Sequence, residues 1–187
     1  MKPKIIAFAG SLRKDSYNKK LVNIAVKQAE KLNAKVDYIE LADYPLPLFD
    51  EDIESLGTPD NLIKLRDKFH SADALLIASP EYNGSFSAVL KNTLDWLSRP
   101  ASKDENQVNF SKLTVGLMAA SPGKLGGIRG LSHIREIMSN LGSLVIPDSL
   151  AISAAYNAFD DQGQLKDKDM EKRLATIVHK TVSLSSR

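Results

Sequence analysis

The chain has 187 residues, 43% apolar and 26% charged, a size and balance that suit one compact domain and exclude a disordered chain. It has no cysteine and three histidines, His70, His133 and His179. That composition removes thiolate catalysis, disulfides, iron-sulfur ligation and the usual Cys/His zinc site, and leaves demanding chemistry to a bound organic cofactor. A net charge of +2 gives no reason to expect nucleic acid as a partner.

Charge is unevenly placed, with nine Lys/Arg against four Asp/Glu in residues 1–40 and none against six in residues 41–60. Solvated faces are the ordinary source of such runs, and a partner site is the alternative. The first apolar run, residues 5–9, is too short for a signal-peptide core or a membrane span. A cytoplasmic protein with no membrane partner is expected.

In chain order, short branched-rich runs at residues 5–9, 36–41, 74–79 and 113–120 read as buried strands, with a weaker fifth at 144–146. Between and after them run helical stripes: Leu21, Ile24, Ala25, Ala29 and Leu32; Leu62, Leu65 and Phe69; Val89, Leu90, Leu94 and Leu97. Leu131, Ile134, Met138 and Leu141 mark a fourth, and Met170, Leu174, Ile177 and Val178 a fifth. Strict alternation without an internal repeat predicts an α/β fold, a doubly wound five-stranded parallel sheet in the flavodoxin-like order 2-1-3-4-5 with helices on both faces. No linker marks a boundary, so residues 1–187 are read as one domain. Residues 43–59, rich in proline and acid, are longer than a normal connection and read as a flap or subunit contact. Residues 100–109 read as a polar surface loop.

In this topology a ligand lies beyond the carboxyl ends of strands 1, 3 and 4. The loop after strand 1, residues 10–18, has Gly10 for a sharp turn, the hydroxyls of Ser11 and Ser16, the charged fork of Arg13 and a following helix start. Together these outline a phosphate site; a polar turn with helix caps is the alternative. It is neither a Walker loop nor G-x-G-x-x-G, which disfavours a nucleoside triphosphate or a Rossmann-bound dinucleotide. After strand 3, Pro80 stiffens the loop, Tyr82 and Asn83 offer a wall and hydrogen bonds, and Gly84 permits backbone approach, although Asn83-Gly84 is also a common turn pair. After strand 4, four glycines fall within residues 123–130, signifying backbone approach to a ligand or mobility. One anionic end and two edges for a flat ring suggest FMN.

The chain resembles the NADPH-dependent FMN reductase family of flavodoxin-like proteins, which includes quinone, azo-compound and chromate reductases. The likeness rests on Gly10-Ser11-Leu12-Arg13 through Ser16 and Asn18, on residues 80–85, on Leu90-Lys91-Asn92 with residues 95–99, and on Ser121, Gly126, Gly127 and Arg129. The resemblance implies that Ser11, Arg13, Ser16, Tyr17 and Asn18 hold the FMN phosphate. It also implies that Pro80, Glu81, Tyr82, Asn83 and Gly84 line the isoalloxazine mainly through backbone, with Ser121 and Gly123 opposite. The implied activity is NAD(P)H-dependent two-electron reduction of quinones or similar acceptors, such as azo compounds, metal oxyanions or flavin, in a homodimer or homotetramer. Some relatives carry an aromatic residue where this chain has Gly84, which implies a more open pocket here.

Arg129 is the candidate for attracting the phosphates of NADPH or NADH, with a subunit salt bridge as the alternative. Lys124 is assigned no contact. Trp96 reads as a packing or interface aromatic, Arg99 as a helix-dipole partner and His133 as structural. No nucleophile, general acid or metal ligand is assigned. A non-enzymatic flavodoxin-type carrier is the rival reading, and a receiver-type signalling domain is disfavoured because strands 1 and 3 end in Ala9-Gly10 and Ser79-Pro80 instead of acids.

Overall fold

Side chains on a strand alternate between its two faces, so each buried strand of a parallel sheet must supply apolar residues to two helix layers at once. A computed structural model describes residues 2–103 and 105–185. Its elements in chain order are β1 (Lys4–Ala9), α1 (Tyr17–Lys31), β2 (Lys35–Ile39), α2 (Glu51–Ser55), α3 (Asp60–His70), β3 (Ala74–Ala78), β4 (Glu81–Tyr82) and β5 (Ser85–Phe86). They continue with α4 (Ala88–Ser98), β6 (Thr114–Ala120), α5 (Ile128–Asn140), β7 (Leu144–Ile152), α6 (Ala155–Ala158) and α7 (Lys168–Ser185). The main sheet is parallel in the order β2-β1-β3-β6-β7, which is 2-1-3-4-5 when its five strands are counted along the chain. Ile5, Ala7 and Ala9 face α1 and α7 in one core; Ile6 and Phe8 face α3, α4 and α5 in the other.

Several expectations need correction. β2 ends at Ile39, because the Glu40 carboxylate accepts the Ala42 N–H and starts a 3-10 turn at Leu41. Leu32 is the C-cap of α1 and is 39% exposed, outside the core. β7 extends to Ile152. Its pairing shifts, with Val115 opposite Val145 but Leu117 opposite Ser149, so Pro147 sits in a bulge of an edge strand, where proline is tolerated. Arg135 donates to the bulge carbonyls of Ile146 (2.7 Å) and Pro147 (3.1 Å). Residues 100–109 are not simply polar surface, for Val108 is buried and the guanidinium of buried Arg66 binds Glu105 and the carbonyls of Arg99 and Pro100.

The acidic segment, expected as a flap or subunit contact, is strapped onto α4 of its own chain. Asn92 accepts the Phe49 N–H at 2.7 Å and donates to the Pro47 carbonyl at 2.9 Å, and the Trp96 indole donates to that same carbonyl at 2.9 Å. Phe49 meets Trp96 edge-on at 5.0 Å. Arg99, expected only as a dipole partner, binds Glu54 at 2.8 Å, and its hydrogen bond holds the Glu54 carboxyl below its usual range.

Replacing Asn92 by alanine removes its two hydrogen bonds to the strap and leaves that of Trp96. It should destabilise the fold by about 1–2 kcal/mol in urea unfolding followed by far-ultraviolet circular dichroism. Limited proteolysis should cut residues 44–56 faster than in the parent.

Candidate functional site

The loops leaving β1, β3 and β6 lie side by side because these strands are neighbours. The first runs into α1. Ser16 is the N-cap, its hydroxyl accepting the Asn18 N–H at 3.2 Å, and the buried Ser11 hydroxyl accepts the Arg13 N–H at 3.3 Å. The first turn of α1 contains no acidic residue, and Arg13, Lys14 and Asp15 beside it are exposed and together net positive. Backbone donors, two hydroxyls and positive charge therefore converge where the helix dipole favours an anion. Arg13 lies over the Tyr17 ring, 5.6 Å from its centroid. Asn18 points inward instead: its Nδ2 donates to the Ala120 carbonyl and its Oδ1 accepts the Ala120 N–H, both at 2.9 Å. That amide braces the first loop against the end of β6.

The second loop is a hairpin, β4 and β5 joined by Asn83 (φ 50°) and Gly84 (φ 82°). Two successive left-handed residues are what a two-residue type I′ turn requires, so the turn-pair alternative holds and the segment is more ordered than a bare loop. Glu81 opens the hairpin with its side chain buried, at 7% exposure.

Its partner is the third loop. Gly127, the N-cap of α5 (φ 98°), has no side chain with which to cap the helix. Glu81 supplies the missing cap from across the site: Oε2 accepts the N–H groups of Arg129 (3.0 Å) and Gly130 (3.3 Å), and Oε1 accepts Arg129 Nε at 2.7 Å and pairs with Nη2 at 2.5 Å. Burial pushes the Glu81 carboxyl up, but the Arg129 guanidinium and the two backbone donors outweigh it and hold the carboxyl below its usual range. Arg129 was expected to attract co-substrate phosphates or to form a subunit salt bridge; in the structure it forms a salt bridge within its own chain, which offsets its charge.

Between hairpin and glycine loop lies a slot of about 430 Å³ lined by Glu81, Asn83, Gly84, Ser121, residues 123–127 and Arg129. Of the predicted ring-binding set, Pro80 and Tyr82 are not in its lining. Tyr82 is 57% exposed and lines a larger groove of about 750 Å³ on the other side of the hairpin, with His133, Lys91 and Glu136. His133 Nδ1 is 2.9 Å from Ser85 Oγ and ties the hairpin to α5. Topology, not volume, selects the slot, since it opens beyond the carboxyl ends of β3 and β6.

A Cβ at Gly123 would meet only Ser121 Oγ, at 3.7 Å, so packing within the chain does not demand glycine there.

Sequence reasoning missed the loop after β7. Ala155 N–H donates to the Ser121 carbonyl at 3.1 Å, and Phe159 stacks on Tyr17 with centroids 6.2 Å apart and planes 4° from parallel. The aromatic pair Tyr156 and Phe159 directly after the fifth strand was the available signal.

An electropositive first loop and a slot between the next two, at the carboxyl ends of a sheet of this order, are a flavodoxin-like arrangement with its candidate ligand site where that topology puts one. Residues 3–157 match the family described as NADPH-dependent FMN reductase, and the chain belongs to that family. It is 40% identical over 167 residues to an NAD(P)H-dependent FMN reductase of Pseudomonas aeruginosa, covering 88% of this chain and 85% of that one. It is 33% identical over 181 residues to an NAD(P)H:quinone oxidoreductase of Solanum tuberosum, covering 94% and 89%. Among solved structures, the flavoenzyme NAD(P)H:(acceptor) oxidoreductase FerB of Paracoccus denitrificans superposes with a TM-score of 0.83 at 26% identity, covering 98% of this chain and 97% of that one.

This protein is therefore an enzyme, an NAD(P)H-dependent oxidoreductase whose cofactor is FMN. The carrier alternative finds no support. Among the described residues no helix is long and apolar enough to cross a membrane.

Glu81→Ala should cost about 1–2 kcal/mol of stability at neutral pH, the usual loss for a helix cap. Because the folded-state carboxyl is lowered, the parent keeps this contribution above the ordinary glutamate range and loses it as pH falls through the lowered value. The difference between parent and variant in urea unfolding should therefore persist at mildly acidic pH and shrink below about pH 4.

Proposed function

We propose that residues 1–187 form one FMN-binding domain that reduces quinone-type acceptors at the expense of NAD(P)H. Ser11, Arg13 and Ser16 hold the phosphate at the start of α1, and the slot holds the ring. Supporting the phosphate placement is a contrast between two helix starts: that of α5 already carries the Glu81 carboxylate, while that of α1 has no acid in its first turn. At the first, the backbone donors are taken and the charge is balanced by the Glu81–Arg129 pair, so a dianionic phosphate gains little there and is attracted by the second.

In this reading Glu81, Asn83 and Gly84 form one edge of the ring site through backbone, and Ser121 and Gly123 form the other. Tyr82 stands outside the slot, on the groove at the other side of the hairpin. Tyr17 and Asn18 support the phosphate loop, Tyr17 by carrying Arg13 and Asn18 by bracing the loop to β6. Arg129, neutralised by Glu81, positions the glycine loop, and Lys124 in the slot lining is left to meet co-substrate charge.

Bound flavin supplies hydride acceptance from NAD(P)H and two-electron delivery to the acceptor, so that NAD(P)H, a quinone and one proton become NAD(P)+ and a hydroquinone. The protein's residues orient the ring and leave one side of the slot open for both substrates in turn. Quinone reductases of Pseudomonas putida and Solanum tuberosum, 32% and 33% identical, support the acceptor class. A cytoplasmic homodimer or homotetramer belongs to the same proposal. Trp96 is buried in its own chain, its indole bound to the Pro47 carbonyl.

Mass spectrometry of the released cofactor should give FMN in stoichiometric amount. Anaerobic NADPH should bleach the flavin spectrum and a benzoquinone should restore it. A flavin that stays oxidised with both NADPH and NADH would sink the proposal. Arg13→Ala should weaken FMN binding by about tenfold to a hundredfold, the loss of one charge-assisted hydrogen-bonding group, with the fold intact by circular dichroism.

A further inference from the structure

An exposed arginine has many rotamers, and a flexible guanidinium loses much of its binding advantage in being ordered around an anion. Arg13 is exposed but is not alone. Its guanidinium carbon lies 5.6 Å from the Tyr17 ring centroid, within the range of a cation–π contact, and Tyr17 is the first residue of α1. The contact therefore keeps the charge at the helix start. Tyr17 is itself held by its near-parallel stack on Phe159.

Phe159 is in turn fixed from several sides. It is 8% exposed and belongs to the core between the sheet, α1 and α7. It pairs with Leu165 across an isolated antiparallel bridge. The turn between them is closed by Asp160, whose carboxylate accepts the N–H groups of Gln162 (2.9 Å) and Gln164 (2.8 Å). The Lys166 N–H closes back on the Ala158 carbonyl at 3.0 Å. At the other end of this segment, Ala155 binds Ser121 of the slot. A stretch with no residue lining the slot thus holds one residue of the phosphate loop and one of the ring site.

We propose that Phe159 and Tyr17 are positioning residues that preorganise the Arg13 guanidinium for the cofactor phosphate, with Tyr17 acting through Arg13 and not as a phosphate ligand. The proposal rests on the reading that the start of α1 holds the FMN phosphate. It assigns the segment after β7 a part in cofactor affinity. The tyrosine ring matters and its hydroxyl does not.

The test is a set of flavin titrations on apoprotein stripped of cofactor, comparing FMN with riboflavin, which has the same ring system and no phosphate. Tyr17→Leu should weaken FMN binding roughly fivefold, equivalent to about 1 kcal/mol, and leave riboflavin binding unchanged. Tyr17→Phe should bind FMN like the parent. Phe159→Leu, which keeps an apolar side chain in the core, should reproduce the Tyr17→Leu loss in milder form. In an Arg13→Ala background both leucine substitutions should have no further effect on FMN.

The positioning role is overturned if Tyr17→Leu weakens riboflavin and FMN equally, if its effect adds to that of Arg13→Ala, or if Tyr17→Phe is as weak as Tyr17→Leu. If Arg13→Ala itself leaves FMN affinity unchanged, the phosphate assignment falls, an outcome distinguishable from failure of the stack alone.

Discussion

A helix whose N-cap is glycine has backbone donors and no side chain to receive them. At α5 that deficit is met from 48 residues away by Glu81, and much of the site's shape follows. The carboxylate fastens the β4–β5 hairpin to the glycine loop, so the two edges of the slot are set by one ion pair and two backbone hydrogen bonds. It also consumes the charge of Arg129. A site that would otherwise have two electropositive helix starts is left with one, and the slot gains a neutral, fixed edge.

The division between the two starts makes the site asymmetric. At α1, charge and hydroxyls converge without an acid in the turn; at α5, charge is already balanced. Asn18 links the halves by binding both backbone groups of Ala120, so the phosphate loop cannot shift without pulling on the end of β6. The strap on α4 and the turn around Asp160 lie farther out, and each is held by buried aromatic contact combined with hydrogen bonds to backbone.

Period and composition made the sheet legible. The strands ending at Ala9, Ala78 and Ala120 are apolar on both faces, as central parallel strands must be, and the five helical stripes lie on the five long helices except for Leu32 and Leu141, which are the C-caps of α1 and α5. The edge strand β7 was cut short at Ile146 because Pro147, Asp148 and Ser149 break the apolar pattern; a bulge with its carbonyls bound by Arg135 is a tertiary solution that leaves no local trace. The loops of the site were legible from topology, and the capacity of Ser11, Arg13 and Ser16 for an anion from their types. What could not be read was who pairs with whom. Glu81 with Arg129, Asn92 with the strap and Phe159 with Tyr17 are meetings of distant segments, and no spacing rule contains them.

Trp96 is the only tryptophan in the chain, and its indole is buried beneath the strap with its N–H on the Pro47 carbonyl and Phe49 against its ring. Indole emission therefore comes from one place, the seam between the acidic segment and α4. Wavelength shifts in that emission report wetting of the seam, while flavin absorbance reports the bound cofactor. The two halves of the molecule can thus be followed in one cuvette without a label.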